Sequence, residues 1–133
     1  MGLFLLVGYE HVHKDKARQY EAICSDIDKK MQETEPGVLL HAKERVSEED
    51  SKVVYRWLEV FRDYEDFQFH LNNPALVELG ERMQQEDVKC APIDVIAYAD
   101  WTDEQKAPLL DLAIEGIFTI KFAPLVSAFS RSL

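Results

Sequence analysis

Residues 53–61, VVYRWLEVF, alternate with period two. Tyr55, Trp57, Glu59 and Phe61 share one face; Val54, Arg56, Leu58 and Val60 share the other. Period two with β-branched and aromatic enrichment predicts a strand. Asp63 follows where a helix would start, and its carboxylate can take a free backbone N–H of the first turn. Tyr64, Phe67, Leu71, Leu76, Leu79 and Met83 then recur at roughly helical steps and predict a helix over about 64–85. Asn73-Pro74 breaks and restarts it, with Asn as cap and Pro at the first helical position. An aromatic-and-carboxylate strand is thereby brought near an imidazole, His70, on the inner flank of the helix.

The rest of the chain carries the same kinds of signal. Residues 3–12 alternate, with Leu3, Leu5, Val7 and Tyr9 on one side and Phe4, Leu6, Gly8 and Glu10 on the other. Both sides start apolar, so both faces of this first strand need cover. This start reads as a strand, not as a signal peptide. Residues 15–34 place Tyr20, Ile23, Cys24, Ile27 and Met31 on one helical stripe, and Glu35-Pro36-Gly37 ends it. Residues 38–46 predict a second strand, and the acidic run 47–51 a hairpin loop into the third. A fourth strand lies within 88–101, its regular pairing starting after Pro92. Thr102 to Gln105 has the capping-box pattern of a helix start, with Pro108 limiting the early turns. Residues 117–122 alternate as a short extra strand, and 124–133 read as a loop or arm. The order β-α-β-β-α-β over 1–101 is a ferredoxin-like α+β unit, with 102–133 an extension packed on the same domain.

Composition narrows the function classes. The chain has 133 residues, a size that suits one domain, and is 47% hydrophobic. Its formal net charge of −10 argues against nucleic acid and against an anionic membrane surface as partners. No stretch approaches the length of a membrane span. Cys24 and Cys90 stand in no CxxC, which fits a reducing, cytoplasmic setting without disulfides. His11 and His13 point the same way on a strand, but no third ligand stands near them, so no metal site is expected. No Gly-rich phosphate loop or nucleophile elbow is present, and no flavin or nicotinamide site is expected.

The strand 53–61, Asp63-Tyr64-Glu65-Asp66-Phe67, His70 and Asn73-Pro74-Ala75-Leu76 together resemble the second half of antibiotic biosynthesis monooxygenase (ABM) domains, over roughly residues 3–101. The resemblance implies a homodimeric α+β barrel in which two sheets pack face to face, covering Val54, Leu58 and Val60. It implies a pocket between sheet and helices lined by Tyr55, Trp57, Glu59, Phe61 and His70, because the alternation alone does not say which face meets the helices. It also implies oxygenation of a small aromatic or quinol-type substrate by dioxygen without a cofactor. His70 and Glu59 are then the catalytic candidates, with Trp57 and Phe61 as an apolar slot and Tyr55, Tyr9 and Arg45 as polar contacts. Each has a plainer reading. His70 fits a hydrogen-bonded histidine at the edge of the core, Trp57 and Phe61 fit the core itself, Asn73 fits a cap, and Glu59 fits a pair with Arg45 on the neighbouring strand.

The chain departs from the family pattern at two places. The comparable first-strand stretch Val7-Gly8-Tyr9-Glu10 lacks the Asn of haem-degrading and many oxygenase members. Gly80 falls near where a haem-ligating His would stand, so haem is not expected. The alternative from a different class is a non-catalytic, stress-associated or small-molecule-binding barrel.

Overall fold

The computed structural model describes residues 3–127. Their elements are β1 (Phe4–His13), α1 (Ala17–Thr34), β2 (Val38–Glu48), β3 (Lys52–Phe61), α2 (Tyr64–Leu71), α3 (Pro74–Gln85), β4 (Ile93–Tyr98), α4 (Asp103–Ile114) and β5 (Phe118–Ala123), with a 3-10 turn at Lys14–Lys16. The sheet order is β2-β3-β1-β4-β5. The first four strands pair antiparallel in the ferredoxin-like arrangement, and β5 joins β4 in parallel. Parallel neighbours need a crossover, which α4 supplies. The extension thus continues the sheet. Of the expected arm, residues 128–133 lie outside the described residues.

Local signals explain the boundaries. Asp63 Oδ1 accepts the Asp66 N–H at 2.9 Å to start α2. Asn73 Oδ1 accepts the Ala75 N–H at 3.0 Å, and Pro74 opens α3. Thr102 and Gln105 close a reciprocal capping box on α4. That helix runs on through Pro108 to Ile114, further than the proline predicts. A proline removes one intrahelical bond, and the capped first turn holds regardless.

β1 alternates strictly between buried and half-buried residues. Phe4, Leu6, Gly8, Glu10 and Val12 meet the helices. Leu5, Val7, Tyr9 and His11 lie on the outer face with Val54, Arg56, Leu58 and Val60, their partners across the ladder. The helix side holds two apolar clusters. One packs Tyr20, Ile23, Ile27 and Met31 of α1 on Val12, Val53 and Tyr55, with Ala75 and Met83 of α3. The other packs Phe67 and Leu109 on Phe4, Leu6, Phe61, Val95 and Ala97.

Gly8 stands opposite Trp57, and a Cβ there would run into the indole. The bare backbone of β1 is what lets Trp57 lie across the sheet. Gly8→Ala is therefore expected to destabilise the fold by about 1–3 kcal/mol, as overpacking does. A chemical-denaturation midpoint unchanged from wild type would contradict this placement.

Candidate functional site

At the junction of the two apolar clusters the chain buries a row of ionisable groups. Glu59 projects from β3 to the helix side, and its Oε2 lies 2.9 Å from His70 Nε2 on α2. The other imidazole nitrogen, Nδ1, lies 2.9 and 3.1 Å from the two oxygens of Glu35. Asn73 donates from Nδ2 to Glu35 Oε2 at 2.8 Å and to Thr34 Oγ1 at 3.0 Å. Glu35, Glu59, His70 and Asn73 are all buried. One imidazole thus sits between two carboxylates, and an asparagine that also caps α3 steadies the far one.

The electrostatics follow from this sandwich. Burial by itself would push His70 down, but the charge of Glu59 and the hydrogen bonds to Glu35 and Glu59 outweigh it and hold the imidazole at about 10. Burial would likewise raise Glu59, but His70, His41 and Lys43 pull it down to about 2. The resting state at neutral pH is a carboxylate–imidazolium–carboxylate row.

The row continues toward the surface. His41 of β2 stands opposite Glu59 in the ladder, with Nε2 at 3.4 Å from the same Oε2. His41 Nδ1 lies 3.4 Å from Asp28 Oδ1 on α1, and Lys43 Nζ reaches that oxygen at 3.2 Å. Burial lowers His41, against the opposing pull of Glu59 and Asp28. Asp28 and Lys43 line a cleft of about 490 Å³ between α1 and β2, with Tyr20, Cys24, Arg45 and Tyr55 among its walls. Tyr20 donates to buried Glu10 at 2.9 Å. Tyr55 donates to Glu21, which also takes Arg45.

The sequence-predicted residues distribute unevenly over this geometry. His70 and Glu59 are paired, on the face expected for them. Tyr55 and Arg45 reach the cleft. The alternative pairing of Glu59 with Arg45 does not form, because Arg45 stands opposite Tyr55 and bonds Glu21. Trp57 is half-buried over Gly8 and does not line the cleft. Phe61 is fully buried against the rings of Phe67 and His70, so it is core and offers no slot wall. Tyr9 lies on the outer face of the sheet, away from helices and cleft, because the buried positions of β1 are the even ones. Glu35, His41, Asp28 and Lys43 were not singled out by the sequence reading. Glu35 was hidden as part of a helix stop, and His41 as an ordinary strand residue.

Among the described residues no group of three or more His, Cys, Asp or Glu is placed to hold a metal ion. His11 is engaged by Asp94 at 2.9 Å. Among the described residues no helix is long and apolar enough to cross a membrane.

The family model for antibiotic biosynthesis monooxygenase matches residues 3–82. Solved structures with the same fold include a candidate antibiotic biosynthesis monooxygenase from Caulobacter crescentus CB15. It is 22% identical, with TM-score 0.65, covering 72% of this chain and 87% of that one. MupZ from Pseudomonas fluorescens is 18% identical, with TM-score 0.69, covering 98% and 94%, so its likeness takes in the C-terminal extension. A variant of SnoaB, a cofactor-independent oxygenase from Streptomyces nogalater, is 18% identical, with TM-score 0.57, covering 76% and 96%. No curated protein matches significantly.

Two outcomes follow from the buried row. His70→Ala leaves two buried carboxylates facing each other and is expected to cost about 3–5 kcal/mol of stability, read by denaturant unfolding. The pH dependence has a defined sign. His70, raised from 6.5 to about 10, contributes in full below 6.5 and loses its contribution as pH climbs toward 10. Glu59, lowered from 4.5 to about 2, contributes in full above 4.5 and loses it as pH falls toward 2. Wild-type stability is expected to be greatest between those windows and to decline on the alkaline side, and His70→Ala to lose much of that alkaline decline. Equal alkaline slopes in both proteins would contradict the sandwiched imidazolium.

Proposed function

The chain belongs to the antibiotic biosynthesis monooxygenase family, and from that premise we propose that it is a cofactor-independent monooxygenase acting with dioxygen on a small aromatic, quinol-type substrate. The observation that carries this reading is the row from Glu35 through His70, Glu59 and His41 to Asp28, which links a buried, fixed charge arrangement to an open cleft.

The chemistry asks little of the protein. A proton leaves the substrate, and the electron-rich anion reduces dioxygen to a hydroperoxide on carbon. That hydroperoxide collapses to a carbonyl, with one oxygen retained and the other released as water. The protein supplies an acceptor for the proton, low-dielectric walls and a stabiliser for the anion. His70 is an imidazolium in the resting state and Glu59 a carboxylate held far below its usual range, so neither is the proton acceptor. Their role is to fix the field and the geometry of the groups nearer the cleft. Tyr55 and Arg45 are the polar contacts at its wall.

One observation favours a second reading, a binding barrel without catalysis. The side chains of His70 and Glu59 are only 5% and 8% exposed, so a ligand meets them through other residues. The two readings separate by oxygen consumption with a panel of hydroquinones and polyphenols, without metal or added cofactor. Uptake above autoxidation that falls in Glu59→Gln, while thermal unfolding shows that variant still folded, supports the oxygenase. No uptake across the panel contradicts it and favours the binding barrel.

The outer sheet face supports a homodimer. Leu5, Val7, Leu58, Val60 and Ile96 form its apolar centre, bordered by Arg56 and Asp94. A second copy packed sheet against sheet would cover them. Sedimentation at micromolar concentration is expected to show a dimer that Leu58→Lys converts to monomer. A wild-type monomer under those conditions would contradict the barrel.

A further inference from the structure

The cleft between α1 and β2 joins the buried row at a single point, Asp28 Oδ1. His41 Nδ1 and Lys43 Nζ approach that oxygen from β2, at 3.4 and 3.2 Å. Glu59 Oε2 faces His41 Nε2 at 3.4 Å from the opposite side. Both ring nitrogens of His41 face a carboxylate oxygen at 3.4 Å, and a carboxylate oxygen only accepts, so a neutral ring leaves one of the two contacts short of a proton; with the proton on Nε2, toward Glu59, that contact is the one at Nδ1. Nδ1 is then an acceptor, and among the described residues it has no hydrogen-bond partner. Nδ1 and Asp28 Oδ1 are thus two acceptors facing each other, an arrangement with a place for one more proton.

The cleft suits a small molecule that can release one. Its volume of about 490 Å³ falls in the usual range for small-molecule sites. Its charged lining balances: Glu21, Asp28 and Glu44 against Lys29, Lys43 and Arg45. A neutral molecule with an ionisable hydroxyl fits that balance better than a permanent anion or cation.

We propose that the α1–β2 cleft seats a small hydroxylated aromatic molecule, that Asp28 contacts its ionisable hydroxyl, and that His41 stores the proton it releases. The inference rests on the oxygenase reading only for the later fate of the anion. The substrate O–H bond breaks and its proton passes through the Asp28 carboxylate to His41 Nδ1. Asp28 ends unchanged. His41 ends as an imidazolium between Asp28 and Glu59, a second version of the sandwich that holds His70. The Lys43 ammonium stands beside the new phenolate. The charged groups facing His41 are Asp28 from α1, Lys43 from its own strand, Glu59 from β3 and His70 from α2. The two carboxylates stabilise the stored proton, and burial, aided by the two cations, keeps His41 neutral until one arrives.

The test is binding of 4-nitrophenol to the full chain, read by the absorbance of its phenolate across the neutral pH range. The bound probe is expected to ionise about one pH unit lower than the free one, a tenfold shift in the equilibrium. His41→Gln and Asp28→Asn are each expected to retain the fold, by thermal unfolding, and to lose that shift. In the wild-type chain, which needs no substitution, the His41 ring nitrogens are expected to change from the neutral to the charged NMR signature as the probe saturates. Absence of binding, binding with unshifted ionisation, or a shift that survives both substitutions would overturn the proposal, as would a His41 signature that stays neutral. The readout does not involve dioxygen. Oxygen uptake can therefore fail while the shift and its dependence on His41 stand, and the reverse outcome is equally visible.

Discussion

The contact on which the site depends is the imidazole of His70 held between Glu35 and Glu59. It ties three parts of the chain together: the end of α1, the C-terminal part of β3 and the last turn of α2. Burying one carboxylate costs several kcal/mol unless an opposite charge and hydrogen bonds compensate. Here one imidazolium compensates two, with Asn73 supplying a further donor. The arrangement therefore acts as a specificity device. Only the native registration of helix, strand and loop brings the cation between both anions, and any slip leaves a charge buried alone.

The fold was legible because its signals are local. The period-two runs, the apolar stripe of α1, the Asp63, Asn73 and Thr102 caps and the start of β4 after Pro92 each follow from a few neighbouring residues. The pairing of Glu59 with His70 was legible too, since one alternation and one helical spacing suffice once the family resemblance assigns the faces. The resemblance did not identify Glu35. It ends a helix beside Pro36 and Gly37, and nothing in that context marks its carboxylate as facing inward rather than solvent.

His41 was hidden for a different reason. Counted back from the hairpin loop, Glu48 pairs with Val53 and Ser47 with Val54. Continued without interruption, that register places Ala42 opposite Glu59 and sends His41 to the outer face. The irregularity between Arg45 and Ser47 shifts the pairing by one residue, and residues 40–45 change face. Arg45, Lys43 and His41 all reach the helix side through that one extra residue. No composition signal marks the bulge, so the wall of the cleft was invisible to pattern alone. Tyr9 and Phe61 show the opposite error. Family analogy gathered them into one pocket, whereas strand alternation puts Tyr9 on the outer face and close packing puts Phe61 in the core.

The most direct measurement is the titration of the four histidines by ring-nitrogen NMR in the unliganded protein. His70 is expected to remain protonated through neutral pH and to release its proton only near 10, while His41 is expected to be neutral already at pH 7. A His70 that titrates near its ordinary value of 6.5 would contradict the carboxylate–imidazolium–carboxylate row and, with it, the site built upon it.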